Sequence, residues 1–234
     1  MIVFPMAGLS QRFVNAGYNV PKFQLPLWDG TVFDYAVSSF ASSFDSLPFL
    51  FIYRETGGVR DFLESRIENL GVCDVVFVPL EEPTAGQGET VELGLAKGGV
   101  SDDEALTVFN IDTFRMPWSR PGGLPSNLDG WLEVIKGTGE NWSFIRPSAE
   151  AGMVIETAEK VPISDLCCTG LYHFDNAALF RRALLAEREL PVSKELYIAP
   201  AFNHLIAVGA RIGFGLMPND DVLFCGVPAP PPSA

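Results

Sequence analysis

Long hydrophobic runs are missing from this chain of 234 residues. The longest are short, such as Phe49-Leu-Phe-Ile-Tyr53, and none approaches the roughly eighteen residues a membrane-spanning helix needs. No charged segment precedes an apolar one at Met1, so no secretory leader is read there. Histidine is scarce, with two residues, which leaves little material for a His-centred triad or a His-rich metal site. The four cysteines, Cys73, Cys167, Cys168 and Cys225, form no CxxC pair and show no zinc spacing. Cys167 and Cys168 adjoin in a short apolar run and read as buried free thiols of a cytoplasmic protein. Basic residues are few: 16 Lys and Arg stand against 29 Asp and Glu, a net charge of −13. That field repels a nucleic-acid backbone and anionic lipid, so neither nucleic acid nor membrane is expected as a partner. An anionic small ligand would need a local basic cluster or a metal. Charged residues make up only 19% and hydrophobic ones 47%, which excludes disorder for the bulk of the chain.

What is present is an alternation of short apolar strands and amphipathic helices. Ile2-Val-Phe-Pro-Met6 opens as a strand and runs into a small-residue turn, Ala7-Gly-Leu-Ser10. Residues 31–44 read as a helix, with Phe33, Ala36, Val37 and Phe40 at helical spacing. Strands are read at 49–53, 74–79 and 106–110, with helices at 59–70, ending at Gly71, and at 88–97. This pattern argues for an α/β sandwich on a mostly parallel sheet. The second half reads differently. Residues 118–128 carry two prolines and two glycines and read as a loop. Strands at 142–145, 152–157 and 169–174 lie close enough in sequence for antiparallel pairing. Helices follow at 176–189 and 194–208, then a strand at 212–217. Residues 228–234 form a polyproline-like tail. The chain's length fits one domain, read here as 1–227 with a half at about 1–112 and another at about 113–227.

Four constellations can carry chemistry. In an open α/β sheet, ligands bind beyond the carboxyl ends of strands. The turn after the first strand offers backbone at Ala7, Gly8 and Leu9 to a phosphate, with Arg12 and Lys22 as nearby positive charge. A tight turn with two solvated basic residues is the equal alternative. Asp112 ends the strand Phe109-Asn-Ile-Asp112. It could pair with Arg115, the nearest basic residue in sequence, or hold Mg²⁺, which takes one or two carboxylates plus phosphate oxygens. Thr84 and Gln87, in Pro83-Thr-Ala-Gly-Gln-Gly-Glu-Thr90, have donors and acceptors to read a base edge, and a plain helix-capping loop is the alternative. Glu159 and Lys160, with Thr169 and Gly170 ten residues on, could hold a hydroxylated or charged substrate, or be a surface pair.

In this order the segments resemble the nucleotidyltransferases that make activated sugars and related headgroups, the sugar-nucleotide pyrophosphorylase and phosphocholine cytidylyltransferase type. Met6-Ala-Gly-Leu-Ser-Gln-Arg-Phe13 followed by Pro21-Lys22 resembles that family's signature of strand, Gly-x-Gly-x-Arg, spacer and Pro-Lys. Asp112 matches its metal-binding aspartate, and Glu159-Lys160 its acceptor motif. Thr169-Gly-Leu-Tyr-His-Phe174 resembles the strand that follows. Lys194 through Asn203 resembles a helix of some members, and Phe224-Cys-Gly-Val-Pro228 the closing Gly-Thr-Pro segment. Three departures stand out: Ser10 replaces the second loop glycine, Gln11 the usual Ser or Thr, and Phe224 a frequent second metal aspartate, for which Asp220 or Asp221 could substitute.

The resemblance implies a three-layer α/β/α sandwich of GT-A-like, Rossmann-like kind with a mixed, mostly parallel sheet. It also implies a Mg²⁺-dependent enzyme joining an NTP to a phosphorylated small-molecule acceptor, with release of pyrophosphate. Arg12 and Lys22 would be catalytic. Ala7, Gly8, Leu9, Thr84 and Gln87 would bind nucleotide, Glu159, Lys160, Thr169 and Gly170 the acceptor, and Asp112 the metal. Capsule or other surface-polysaccharide precursor synthesis in the cytoplasm is the context it suggests, with no β-helix or acyltransferase domain after Pro228. A nucleotide-binding protein that has lost catalysis and a GT-A glycosyltransferase remain as alternatives. The latter usually carries Asp-x-Asp where this chain has Asn110-Ile-Asp112.

Overall fold

The computed structural model describes residues 1–115, 127–191 and 195–226. Most of the loop expected over 118–128, Lys194 at the head of the last expected helix, Val227 and the 228–234 tail lie outside the described residues. In chain order the strands are β1 (Ile2–Met6), β2 (Pro26–Leu27), β3 (Gly30–Thr31), β4 (Phe49–Arg54), β5 (Val75–Leu80), β6 (Leu106–Phe109), β7 (Thr113–Arg115), β8 (Gly130–Lys136), β9 (Ser143–Pro147), β10 (Val154–Glu159), β11 (Leu166–Phe174), β12 (Ile212–Leu216) and β13 (Val222–Phe224). The helices are α1 (Gln11–Asn15), α2 (Val32–Ser38), α3 (Val59–Leu70), α4 (Gln87–Lys97), α5 (Ala177–Glu189) and α6 (Ile198–Ala207).

The main sheet runs β10-β9-β11-β6-β1-β4-β5, with β8 on β11 and β12 on β8. β1 pairs in parallel with β4 and β6, and β4 with β5. β11 runs antiparallel to β6, β8 and β9, and β9 to β10. The sheet is therefore mixed, with a parallel half first and after it a half that is antiparallel except where β12 runs parallel to β8. Both faces are covered, as near-continuous apolar strands require. Val91 and Leu95 of α4, Phe180 and Leu184 of α5 and Phe202 of α6 pack on one face. Phe33 and Val37 of α2 and Leu63 and Ile67 of α3 pack on the other, beside Phe4, Phe49 and Phe51 of the sheet. This is the three-layer α/β/α sandwich.

The expected helix over 31–44 is interrupted. Thr31 and Asp34 close a capping box at its start, worth about 1 kcal/mol. Ser39 then turns its hydroxyl back onto the Tyr35 carbonyl, a local bond that competes with helix propagation. A separate 3-10 turn follows at Ala41–Ser43.

The topology produces one fork. The C-terminal half of β11 lies against β6, with Leu171 opposite Phe109, while its N-terminal half meets β9, with Cys167 opposite Phe144. Between them the ladder of β11 on β8 shifts register from Cys168 to Tyr172. β6 ends at this fork, and β9 and β10 form its other wall.

Candidate active site

The fork gathers most of the residues singled out by sequence. Because β1 and β6 are parallel neighbours, the turn after Met6 and the turn after Phe109 emerge on the same side. Lys22 reaches them from a 3-10 turn, Lys22–Gln24. Pro21 enters that turn at φ −54, and buried Phe23 anchors it against Phe33 and Phe62, with ring centroids 6.5 and 6.2 Å away. The Lys22 ammonium lies 2.6 Å from the Asp112 carboxylate, across 90 residues of sequence. Arg115 takes no part in this pair. Its guanidinium instead meets buried Glu133 at 2.9 Å, so the pairing of Asp112 with its nearest sequence cation is corrected.

Ser10 precedes α1 at φ 49 and ψ 36. A non-glycine residue in this left-handed region carries about 1–2 kcal/mol of strain, and such strain concentrates at functional sites. The serine thus keeps the backbone shape that a glycine would adopt freely. Gly8 and Leu9 before it and Arg12 after it are exposed, and Phe13 is buried. Arg12 has no ion pair among the described residues. Ala7, by contrast, is buried and offers main chain alone.

Gln87, at the start of α4, donates from Nε2 to Asn110 Oδ1 at 2.5 Å. Asn110 in turn is fitted against Gly170. Its backbone N–H donates to the Gly170 carbonyl at 3.1 Å. A Cβ on Gly170 would meet the Asn110 amide nitrogen at 2.3 Å, and Gly170 stands at φ +96. Glycine is needed there on both counts. The side chain of Thr84 turns inward, to Thr90 Oγ1 at 2.7 Å and the Gly86 carbonyl at 3.2 Å. Its hydroxyl therefore serves the capping loop.

Across the fork, the Glu159 carboxylate accepts a hydrogen bond from Ser143, which sits opposite it on β9. Burial pushes the Glu159 carboxyl above its ordinary range, against the pull of Ser143 and Lys160. Lys160, at φ 58, places its ammonium 3.9 Å from Glu159 and donates to the Tyr197 hydroxyl at 2.5 Å. That hydrogen bond raises the Lys160 pKa. Tyr197 adjoins Leu196, whose backbone bonds Ala85 and Gly88 at 3.1 and 2.7 Å, so the two walls of the site share one connection.

Two assignments need correction. Thr169 is 1% exposed and its hydroxyl donates to Glu133 at 3.0 Å, so its side chain does not face an acceptor. Asp220 and Asp221 belong to the 3-10 turn before β13, and the charge of Asp221 acts on Arg115. On the β7–β13 ribbon Phe224 is opposite Thr113 and the Cys225 N–H donates to the Asp112 carbonyl at 2.7 Å. Three residues lie between Asp221 and Cys225, and the four steps span on the order of 13 Å of strand. Neither aspartate completes a metal site with Asp112. Phe224, at the position of the absent second carboxylate, packs edge-on against Trp142 with centroids 4.8 Å apart. No cluster of three or more His, Cys, Asp or Glu fit for a metal occurs among the described residues. A single carboxylate remains, with glycine beside it, since a Cβ on Gly226 would lie 2.9 Å from Asp112 Oδ2. That suits a hard cation taking its other oxygens from phosphate and water.

Sequence reasoning overlooked Asn110, Ser143, Tyr197 and Glu133. Asn110 had a signal, since it stands two residues before Asp112 at the same strand end. Tyr197 stands inside the Lys194–Asn203 segment read by resemblance, and Ser143 and Glu133 are brought in by strand pairing alone.

No family model and no curated protein matches the chain. Solved structures do. A nucleoside-diphosphate-sugar pyrophosphorylase from Vibrio cholerae RC9 is 45% identical, the match covering 97% of this chain and 96% of that one at a TM-score of 0.91. An inositol-1-phosphate CTP transferase from T. maritima is 15% identical over 97% and 89% of the two chains, at a TM-score of 0.74. An apo UDP-glucose pyrophosphorylase is 19% identical over 97% and 93%, at a TM-score of 0.71. The latter two are likenesses of fold. No helix among the described residues is long and apolar enough to cross a membrane.

Proposed function

The chain belongs to the nucleoside-diphosphate-sugar pyrophosphorylases, and from that membership we propose that it joins an NTP to a sugar 1-phosphate or similar phosphorylated acceptor. One observation carries the reading furthest: the Lys22–Asp112 pair at the carboxyl ends of β1 and β6. It sets a cation and a metal-competent carboxylate side by side where a triphosphate would lie.

In the reaction an acceptor phosphate oxygen attacks the α-phosphorus in line. The bond from the α-phosphorus to the oxygen bridging it to the β-phosphorus breaks, and pyrophosphate leaves with that electron pair. There is little covalent work for the protein, so positioning and charge neutralisation dominate. Lys22 bridges the α-phosphate and the acceptor phosphate. Arg12 is exposed and unpaired among the described residues, and it takes the leaving β- and γ-phosphates. Gly8 and Leu9 offer backbone to the nucleotide, and the free face of the Gln87 amide lies at its base. Glu159 accepts from acceptor hydroxyls while Lys160 holds its charged end. Asp112 is the residue to hold Mg²⁺, which neutralises charge developing on the phosphates. Residues 1–112 form the nucleotide half and 113–227 the acceptor half of a single domain. Supply of precursors for capsule or other surface polysaccharide, in the cytoplasm where NTP is made, fits such a product. The four unpaired cysteines agree with that compartment.

The test is pyrophosphate release from purified protein with Mg²⁺, using CTP, UTP and dTTP in turn against sugar 1-phosphates and phosphocholine. Release with one pair fixes base and acceptor together. Measurable NTP binding with no release across the panel overturns the reading in favour of a non-catalytic nucleotide binder.

A further inference from the structure

Behind the Asp112 turn lies a ring of buried polar groups that the proposed reaction does not use. Glu133, fully buried in the middle of β8, faces two partners. One carboxylate oxygen stands 2.9 Å from Arg115 Nη1. The other accepts from the Thr169 hydroxyl at 3.0 Å. The Thr169 carbonyl then accepts from the Thr113 hydroxyl at 3.1 Å, and the backbone from Thr113 to Arg115 closes the ring. Thr113 directly follows Asp112 and Thr169 directly precedes Gly170. Both ends of the ring therefore bear on the two segments that meet in the fork.

Such a ring is a poor device for stability. A buried ion pair gives up hydration that its mutual attraction rarely repays, and apolar replacements of similar volume are often as stable or more so. This one is also incompletely satisfied, because Arg115 Nε and Glu133 Oε2 are both buried without a hydrogen-bond partner among the described residues, which leaves the Arg115–Glu133 side of the ring a charge contact and not a hydrogen bond. What the ring does supply is directionality in its two threonine hydrogen bonds, with the Arg115–Glu133 charge contact holding the remaining side. It fixes β7, the continuation of the Asp112 turn, against β8 and the bulge of β11 at once. We propose that Glu133 and Arg115 are positioning residues for the Asp112 carboxylate, acting through Thr169 and Thr113. The inference rests on the reading of Asp112 as the metal carboxylate.

The test measures metal binding apart from turnover. Mn²⁺ is titrated in the presence of inorganic pyrophosphate, and the signal is water-proton relaxation. The double variant Glu133→Leu with Arg115→Leu removes both charges together and avoids stranding either one. It should melt at or above the wild-type temperature, yet need about tenfold more Mn²⁺ for half-saturation, the size of effect that outer-shell partners of metal ligands usually have. Asp112→Asn, run alongside, should lose the binding. A double variant that binds Mn²⁺ like wild type, while Asp112→Asn does not, reduces the ring to packing and overturns the proposal alone. Asp112→Asn binding like wild type overturns the metal reading itself, and this proposal with it. If the double variant does not fold, Thr169→Val, which keeps shape and removes the link to Glu133, takes its place. A half-saturation raised about threefold or more supports the proposal, and an unchanged one overturns it.

Discussion

Lys22, catalytic on the proposed reading, is a residue whose value for function and for stability should diverge. Its side chain and that of Asp112 are 26% and 18% exposed, so their ion pair, screened by water, stabilises the fold by about 1 kcal/mol or less. The turn itself is fixed by Pro21 and Phe23, which a mutation at Lys22 leaves alone. Lys22→Ala should therefore melt within a few degrees of wild type. Its turnover, followed by pyrophosphate release, should fall by about 3 kcal/mol of barrier or more, as when an oxyanion donor is removed. Near-normal turnover would remove Lys22 from the reaction. Glu159 gives a prediction in pH. Burial lifts its carboxyl above the ordinary 4.5, so the folded state holds this proton more tightly than the unfolded chain. The associated stability is fully present below 4.5 and is lost as pH rises through the raised value. Acceptor binding runs the other way, because the ionised carboxylate is the better acceptor for hydroxyls. The KM for the acceptor should fall as pH rises above 4.5 through that same window, and Glu159→Gln should flatten both slopes. A Gln variant that keeps the KM slope would assign it to another group.

Elements were legible where one face meets the core and a terminator is written in the chain. The helix read at 59–70 coincides with α3, since its apolar stripe and Gly71 leave no alternative. Strands at 49–53 and 106–110 fall within a residue of β4 and β6 at each end. β8 was missed for a physical reason. Both of its faces are buried, which erases alternation, and Glu133 in its centre reads as solvated when its neutralising partner is eighteen residues upstream. The two-stranded pairings β2–β3 and β7–β13 are too short for any period to register. The register shift in β11 was equally hidden, although it decides where Gly170 stands. Gly170→Ala tests that element directly. The added methyl group would collide with Asn110 at a positive φ, costing about 2–4 kcal/mol of stability. Turnover should fall with it, because displacing Asn110 also releases Gln87. A variant that melts early but turns over normally once folded would show that the Gln87–Asn110 link does not serve the reaction.

At the scale of the whole molecule, the sequence offered candidate loops for the chemistry but not which of them would meet. Lys22 and Asp112 are 90 residues apart, and only a sheet order that places β6 beside β1 joins them. Composition carried a different kind of information, the net charge of −13, and that field bears on every encounter with a triphosphate. Many basic residues are already matched locally: Arg66 with Asp34, Arg188 with Glu89 and Glu92, Arg211 with Glu150, Arg181 with Asp102. Arg12, at the mouth of the site, has no such match among the described residues. On the proposed reading, a triphosphate approaches through a repulsive far field and is captured by a short-range cationic one. The two have different reach. Raising salt from about 0.01 M to about 0.15 M shortens the screening length from about 30 Å to about 8 Å. The far field is removed while contacts at hydrogen-bond distance persist. The kcat/KM for NTP should therefore rise several-fold over that range, and kcat at saturation should hold steady. Arg12→Gln should lower kcat/KM at every salt concentration while keeping the upward slope. If kcat/KM instead fell from the first addition of salt, local cations would govern the approach as well as the capture, and the acidic surface would have no part in the encounter.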